Sequence, residues 1–378
     1  MDRLLNGVRV LDLSHVWFGP YCTKLLADMG AEVIKIEPPW GEMIRLQIPQ
    51  VNGANPEFVY LNNNKKGMTL NLKSEKGVKI FKELVKISDV VVENFAPGTM
   101  KKLGIDYDVL KGIKSNIIYA SLSGYGQYGP YFDRPSFDII AQAVSGYLRL
   151  TGDLLNPNGP PVQVAQAVGD LWPGTYAALS IVAALYYRNL TGKGQMIDVS
   201  QVDCMIASCG PAFTGYTMLG LKPHEISARY HWGIYGLFKA KDGYLVIGAP
   251  LGHILDALKS VIGKDDISME IVQIWIEERF VKEVIDTLVQ ARVPCAPVYD
   301  LKDTLSDPQI KARDGFVKIE HPQADLVVMP NFPVKFSETP VSYVRCAPLL
   351  GEHDEEILTK VLGYTKEEVK KLKEDGVL

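Results

Sequence analysis

Apolar and polar positions alternate in blocks along the first half of the chain. Val8-Arg9-Val10-Leu11-Asp12-Leu13 has the near-continuous apolar character of a buried strand, and Gly19-Pro20 breaks the pattern a few residues later. Residues 21–29 then carry Leu25 and Leu26 on one helical face, and Gly30 stops the helix. Ala31-Glu32-Val33-Ile34-Lys35-Ile36-Glu37 reads as a second strand, closed by Pro38-Pro39. Strand, helix and strand in so short a span make a βαβ unit. The alternation continues with strands expected over 68–72, 89–94, 117–122 and 196–200. Helices are expected over 77–87, before 117, and from Asp170 to about Asn189. This predicts an α/β fold with a Rossmann-like, doubly wound parallel sheet.

The second half is less regular. Residues 210–227 are punctuated by Gly and Pro and read as a linker. A smaller module comes next, with strands around 236–238 and 244–247 and helices around 253–262 and 281–291. From Asp300 the chain is rich in loops and prolines, and it ends in two short helical stretches. A chain of 378 residues exceeds what one core usually supports. The expected organisation is a large domain over 1–205, a linker over 206–227, a smaller α+β domain over 228–315, and a return segment over 316–378 that packs on the large domain.

Composition narrows the classes. A net charge of −4 argues against a general nucleic-acid binder. The five cysteines are odd in number and include no C-x-x-C pair, which disfavours a zinc or redox site and fits a reduced, cytoplasmic setting. The N-terminus does not resemble a signal peptide, and the most apolar stretch, 177–187, is too short to span a bilayer, so no membrane association is expected.

Asp170 is the most informative single residue. Gly169-Asp170 delivers a carboxylate to the start of the long apolar helix. One reading is structural, because Asp is a preferred N-cap residue. The other is catalytic, because an ionised, fixed carboxylate is what nucleophilic catalysis by Asp requires, and a helix N-terminus favours ionisation. Other candidates lie at predicted strand ends. The first strand–helix connection, Leu13 to Pro20, lacks the G-x-G-x-x-G of a dinucleotide site. Lys35, Lys65-Lys66, Lys73 and Lys101-Lys102 are either solvated surface or point charges for a phosphate-bearing ligand. Gly124-Tyr125-Gly126-Gln127 permits close backbone approach to a ligand, whereas Gly192-Lys193-Gly194 reads as a plain turn. His15 is a pocket candidate, and His231, His253 and His353 show no metal-type spacing.

Taken in order, these motifs resemble CoA-transferase family III, which includes formyl-CoA transferase, carnitine CoA-transferase and α-methylacyl-CoA racemase. The resemblance covers nearly the whole chain. It is carried by Val10-Leu11-Asp12 with Gly19-Pro20, by Gly30 to Glu37, by Asn64-Lys65-Lys66 with Leu70 to Lys73, and by Val92 to Gly98. Ser123-Gly124-Tyr125-Gly126, Ala141-Gln142-Ala143, Gly169-Asp170, Thr191 to Gln195 and Pro348 to His353 extend it. Ser145 to Leu148 and Phe238 to Leu245 look closest to the carnitine branch.

The resemblance implies that Asp170 is the nucleophile; Asp138 reads either as a residue that orients it or the acceptor, or as a structural loop acid. It implies coenzyme A as acyl-CoA substrate, with no metal, contacted by Trp17, Phe18, Lys35, Leu70, Asn71, Lys73, Asn94, Phe95, Ala96, Lys102, Tyr125 and Phe137. It also implies an interlocked homodimer, in which residues around Arg229 to Tyr235 of the other subunit select the acids. Three departures bear on specificity. Pro38 stands where the family often has an Arg that contacts CoA phosphates. Trp17 stands where formyl-CoA transferase has Gln, and the glycine-rich loop of its longer small domain is absent, so oxalate/formate exchange is disfavoured. Phe137 stands where the racemases have His, which removes one partner of a two-base mechanism. The expected activity is transfer of CoA from an acyl-CoA donor to a carboxylic acid through aspartyl intermediates. The alternatives are a racemase-like enzyme using the Asp as a base and a non-catalytic CoA-binding protein.

Overall fold

The computed structural model describes residues 3–221, 225 and 233–378. The chain divides into two compact bodies, one formed by 1–148, 162–210 and 315–378 and the other by 149–161 and 211–314.

In the first body, β1 (Arg9–Asp12), β2 (Glu32–Glu37), β3 (Lys66–Thr69), β4 (Val90–Glu93), β5 (Ile118–Ser123) and β6 (Met196–Ser200) form a sheet in the order β3-β2-β1-β4-β5-β6. All five pairings are parallel; Asp12, for example, lies beside both Lys35 and Val92. A parallel sheet must be covered on both faces, which explains the near-continuous apolar runs. On one face α1 (Phe18–Asp28) and α9 (Val168–Thr191) pack Leu26, Ala177, Ile181 and Ala184 against Val10, Val90 and Ala120. Small residues let these two helices approach closely: a Cβ on Gly174 would lie 2.9 Å from the Phe18 carbonyl oxygen. On the other face α4 (Glu75–Lys86) and α6 (Tyr107–Ile113) bury Ile80, Phe81, Leu84 and Leu110.

The run after 191 is a plain turn, as read. Gly192 caps α9 at φ +73°, and a Cβ on Gly194 would meet the Ile117 carbonyl oxygen at 2.2 Å. The α9 helix is longer than its most apolar stretch. At 24 residues it is long and apolar enough to cross a membrane by length and composition. Half of that apolar span is buried inside the protein, as in a core helix.

Residues 206–219 are helical rather than linker-like. Apart from Cys209, the C-cap between them, they fall in α10 (Gln201–Ser208) and α11 (Gly210–Leu219). Pro211 lies in the first turn of α11, where a missing N–H costs nothing. Arg229 to Trp232 lie outside the described residues. In the second body β7 (Ile234–Lys239), β8 (Tyr244–Ala249) and β9 (Cys295–Pro297) form an antiparallel sheet. Three helices, His253–Ile262, Met269–Glu277 and Val281–Gln290, close a core of Phe238, Leu245, Leu258, Ile276 and Leu288 over it.

The chain then rejoins the first body. Instead of a structureless return, it forms an antiparallel hairpin, β10 (Phe316–His321) and β11 (Asp325–Pro330). Further on, His353 and Asp354 bind β3. The His353 N–H donates to the Gly67 carbonyl at 2.9 Å, and Asp354 accepts from the Thr69 N–H and hydroxyl at 2.8 Å each. This covers the edge of the sheet at β3.

Candidate active site

The strand order reverses between β1 and β4, so the loops that leave them diverge and open a crevice beyond their carboxyl ends. Asn94 bridges the two loops. Its Oδ1 accepts from the His15 N–H at 2.7 Å, and its Nδ2 donates to the His15 carbonyl at 2.9 Å. In the β1 loop, Val16 has φ +65°, a left-handed conformation costly for a β-branched residue. The Val16 N–H donates to Glu42 Oε2 at 2.7 Å, and Glu42 Oε1 forms an ion pair with Lys35 Nζ at 2.6 Å. Lys35 also donates to the Ser14 carbonyl.

A second ion pair lies below the same loop. Asp12 accepts from Lys65 at 3.0 Å, from Thr23 at 2.6 Å and from the Ser14 N–H at 3.0 Å. Burial alone would raise the Asp12 pKa, but the Lys65 and Lys35 charges and these hydrogen bonds hold it at about 2. Burial pulls Lys65 down to about 8 against the pull of Asp12.

This geometry corrects the expected Lys35 contact and shows what occupies the Asn94 amide, although Asn94 still lines the cavity beside Asp170. Lys35 is fully buried and committed to Glu42, so it is no surface charge for a phosphate. The Asn94 amide is spent on the His15 backbone. Both residues position the loop.

Asp170 lies at the rim of this crevice, in the first turn of α9. The cap position belongs to Ala167, which makes no side-chain cap bond, so Asp170 is not the N-cap. A residue from elsewhere does part of that work: Asp138 Oδ1 accepts from the Gly169 N–H at 2.6 Å, while its Oδ2 accepts from Gln142 at 2.8 Å. Gly169 is required by this approach, since a Cβ there would meet the Asp138 carbonyl oxygen at 2.5 Å. Asp170 Oδ1 accepts from Gln201 Nε2 at 2.5 Å. The residue itself lines a cavity of about 290 Å³ with His15, Trp17, Phe95, Gly124, Phe137 and Gln201. The expectation of an easily ionised acid does not hold for this free site. Burial, and then the Asp138 charge, raise the Asp170 pKa to about 7 against the Gln201 hydrogen bond.

His15 and Phe95 also line a second cavity of about 190 Å³, off the ends of β1, β2 and β3. Its walls include Leu70, Asn71, Trp40 and Thr99, and Lys73 stands exposed at its edge. Asn71 is held from behind, with its N–H on the Val377 carbonyl at 2.8 Å. Ala96 accepts from the Thr99 N–H at 3.0 Å to start the short helix Thr99–Lys102, on which Lys102 is exposed. Phe18 is buried at the start of α1 and also lines the Asp170 cavity. Tyr125 packs edge-on against Tyr131 at 5.9 Å, with Ala141 and Met205 nearby in the same cluster. The guanidinium beside Pro38 comes from Arg45. It holds Glu37 by two bonds of 2.7 and 2.8 Å and stacks on Phe58 at 3.6 Å.

Three contributors escaped the sequence reading: Gln201, Glu42 and Glu57, whose Oε2 accepts from Trp17 Nε1 at 2.8 Å; Gln142 entered it only as part of a motif, with no role. Only Gln201 carries a usable signal, because it comes directly after β6 at the carboxyl edge where ligands bind in such sheets.

The sequence pattern of CoA-transferase family III matches residues 5–354. The chain belongs to CoA-transferase family III. Among relatives in this family, human succinyl-CoA:glutarate CoA-transferase is 34% identical over 403 aligned positions, which cover 99% of this chain and 90% of that protein. Succinyl-CoA:mesaconate CoA-transferase of Haloarcula marismortui is 35% identical, covering 94% and 95%. A crystal structure of a CaiB/BaiF family protein from Brucella suis superposes with a TM-score of 0.84 at 29% identity, covering 95% of this chain and all of that one.

Proposed function

We propose that this family III member transfers CoA between an acyl-CoA and a free carboxylic acid, with Asp170 as nucleophile. One observation carries the reading. Asp170 is buried in a cavity at the carboxyl edge of the sheet, with Oδ1 held by Gln201 and with Oδ2 taken by no protein donor among the described residues. A carboxylate fixed at one oxygen presents the other for attack.

The two cavities that meet at His15 and Phe95 fit the acyl-CoA substrate. The apolar walls Leu70, Trp40 and Phe95 suit a planar base, and exposed Lys73 and Lys102 suit its phosphates. The thioester end then lies at Asp170. From β3 to β6 the sheet edge spans five strand spacings, about 24 Å, which leaves room for a long substrate.

The Asp170 carboxylate attacks the thioester carbonyl. The C–S bond breaks, and an aspartyl–acyl anhydride and CoA thiolate result. The thiolate attacks the aspartyl carbonyl, which releases the donor acid and leaves an aspartyl-CoA thioester. The acceptor carboxylate attacks that thioester, and the thiolate then attacks the acceptor carbonyl, which frees Asp170. Each step exchanges one acyl bond for another, so no ATP is consumed. Trp17, Phe18 and Phe137 line the cavity and limit water, which would hydrolyse the anhydride.

Asp138 acts through Gly169, fixing the turn that carries the nucleophile. A second copy of the chain is proposed to cover the exposed apolar stripe Tyr176, Leu179, Tyr186 and Leu190 of α9, as an interlocked dimer would; mass measurement in solution tests it.

Incubation with acyl-CoA and hydroxylamine tests the chemistry. An Asp170 hydroxamate, found by peptide mass spectrometry, supports the covalent route. Turnover with Asp170 unmodified, or full activity in Asp170→Ala, overturns it.

A further inference from the structure

Beside the Asp170 site lies a larger cavity, of about 610 Å³, whose chemistry is unlike the rest of the crevice. Trp17 is the common wall and lines both spaces. Leu171, the residue after Asp170, lines the larger one. Much of its lining is the β11 strand, with Leu326, Val328 and Met329, facing Val59 of α3 (Pro56–Asn62). Glu57 is the only charged residue among its described lining residues. That carboxylate sits in the first turn of α3 and accepts from the Trp17 indole N–H at 2.8 Å.

We infer that this cavity receives the body of the transferred acid, and that Glu57 selects an apolar monocarboxylic acid over a dicarboxylic one. The inference rests on the CoA-transferase reading and adds the substrate class. With its reacting carboxyl at Asp170, an acid whose remainder runs away from the CoA arm and around Trp17 enters this space. An apolar tail there gains from burial against Leu326, Val328 and Met329. A second carboxylate meets Glu57 with no lysine or arginine among the described lining residues to pair with it. The glutarate and mesaconate in the relatives' names carry such a second carboxylate, so this chain's acid differs in kind.

The test compares hexanoate and isovalerate with glutarate and succinate as acceptors, in wild type, Glu57→Gln and Val328→Lys. The Gln variant keeps an acceptor for the Trp17 N–H, and Val328 is exposed, so both changes are compatible with folding. The expected wild-type preference for the monocarboxylates in kcat/KM is at least about tenfold, as repulsion between partly screened charges at close range gives. Both variants should narrow it, and Val328→Lys should raise glutarate turnover. Robust transfer that favours glutarate, or a preference unmoved in both variants, overturns this inference and leaves the transferase reading intact. Absence of transfer with every acid and of any Asp170 adduct overturns the transferase reading instead. In that event a hexanoate titration decides the cavity: an emission change present in wild type and lost in Trp17→Phe supports it, and no change overturns it.

Discussion

Asp138 binds the Gly169 amide at 2.6 Å and in the same stroke places a second carboxyl group beside Asp170. The contact that fixes the first turn of α9 therefore also works against ionisation of the residue the turn carries. These two effects of one side chain make separate, measurable predictions.

The pH profile is the first. On the proposed route Asp170 attacks as a carboxylate, and its pKa lies near 7 in the free protein. The ionised fraction grows with pH, so kcat/KM should rise along a limb centred near 7 and level off above it. Asp138→Asn removes the like charge and should move the limb to lower pH. Gln201→Leu removes the opposing hydrogen bond and should move it higher. Rate profiles of the three proteins check this, and a limb that stays in place in both variants contradicts it.

Stability should take the opposite course. A carboxyl group with a raised folded pKa binds more protons folded than unfolded between about 4 and about 7, so its contribution falls as pH rises through that window. The loss amounts to roughly 4 kcal/mol at most. Asp170→Asn should therefore abolish transfer yet raise the melting temperature, more at about pH 8 than at about pH 5. A variant that melts lower at both values refutes the linkage.

Gly169→Ala tests the close approach at α9. The new Cβ would sit 2.5 Å from the Asp138 carbonyl oxygen and 2.9 Å from its Oδ1, so the turn must move. The expected cost is about 1–3 kcal/mol in denaturant unfolding, with activity falling by about 100-fold or more through displacement of Asp170.

Glu42→Ala leaves Lys35 buried without its ion pair and frees the Val16 amide. Breaking such a pair on one side costs about 3–5 kcal/mol. Chemical denaturation measures it, and a loss below about 1 kcal/mol would show that the ion pair does not support the loop.

Much of this architecture is legible in the residue pattern alone. Five of the six sheet strands are short, mostly buried runs such as Val90-Val91-Val92, and that pattern survives in sequence because both faces are covered; the edge strand β6 is partly exposed. The β10–β11 hairpin is hidden. Leu326 and Val328 alternate with less exposed neighbours, but Pro322 and Pro330 flank them, and the turn needs Asp325 at φ +53°, which no local motif announces. Asp170 stands out as a residue, while its state is misjudged from its neighbours. A helix N-terminus favours ionisation, but burial and a carboxylate from 32 positions earlier outweigh it, and neither is visible locally. Lys35 misleads for a related reason: a lysine in a strand looks like surface until Glu42, seven residues on, folds back over it.

The bond from Asn71 to Val377 joins two regions far apart in sequence. The wall beside Lys73 is fastened by the Val377 and Gly376 carbonyls, with Lys76 tied to Asp375 at 2.6 Å. The same segment sets Val369, Leu372 and Val377 into the core on one face of the sheet. What stands behind Asn71 is thus supplied 305 positions later, and loss of that one segment would open the core and the wall together.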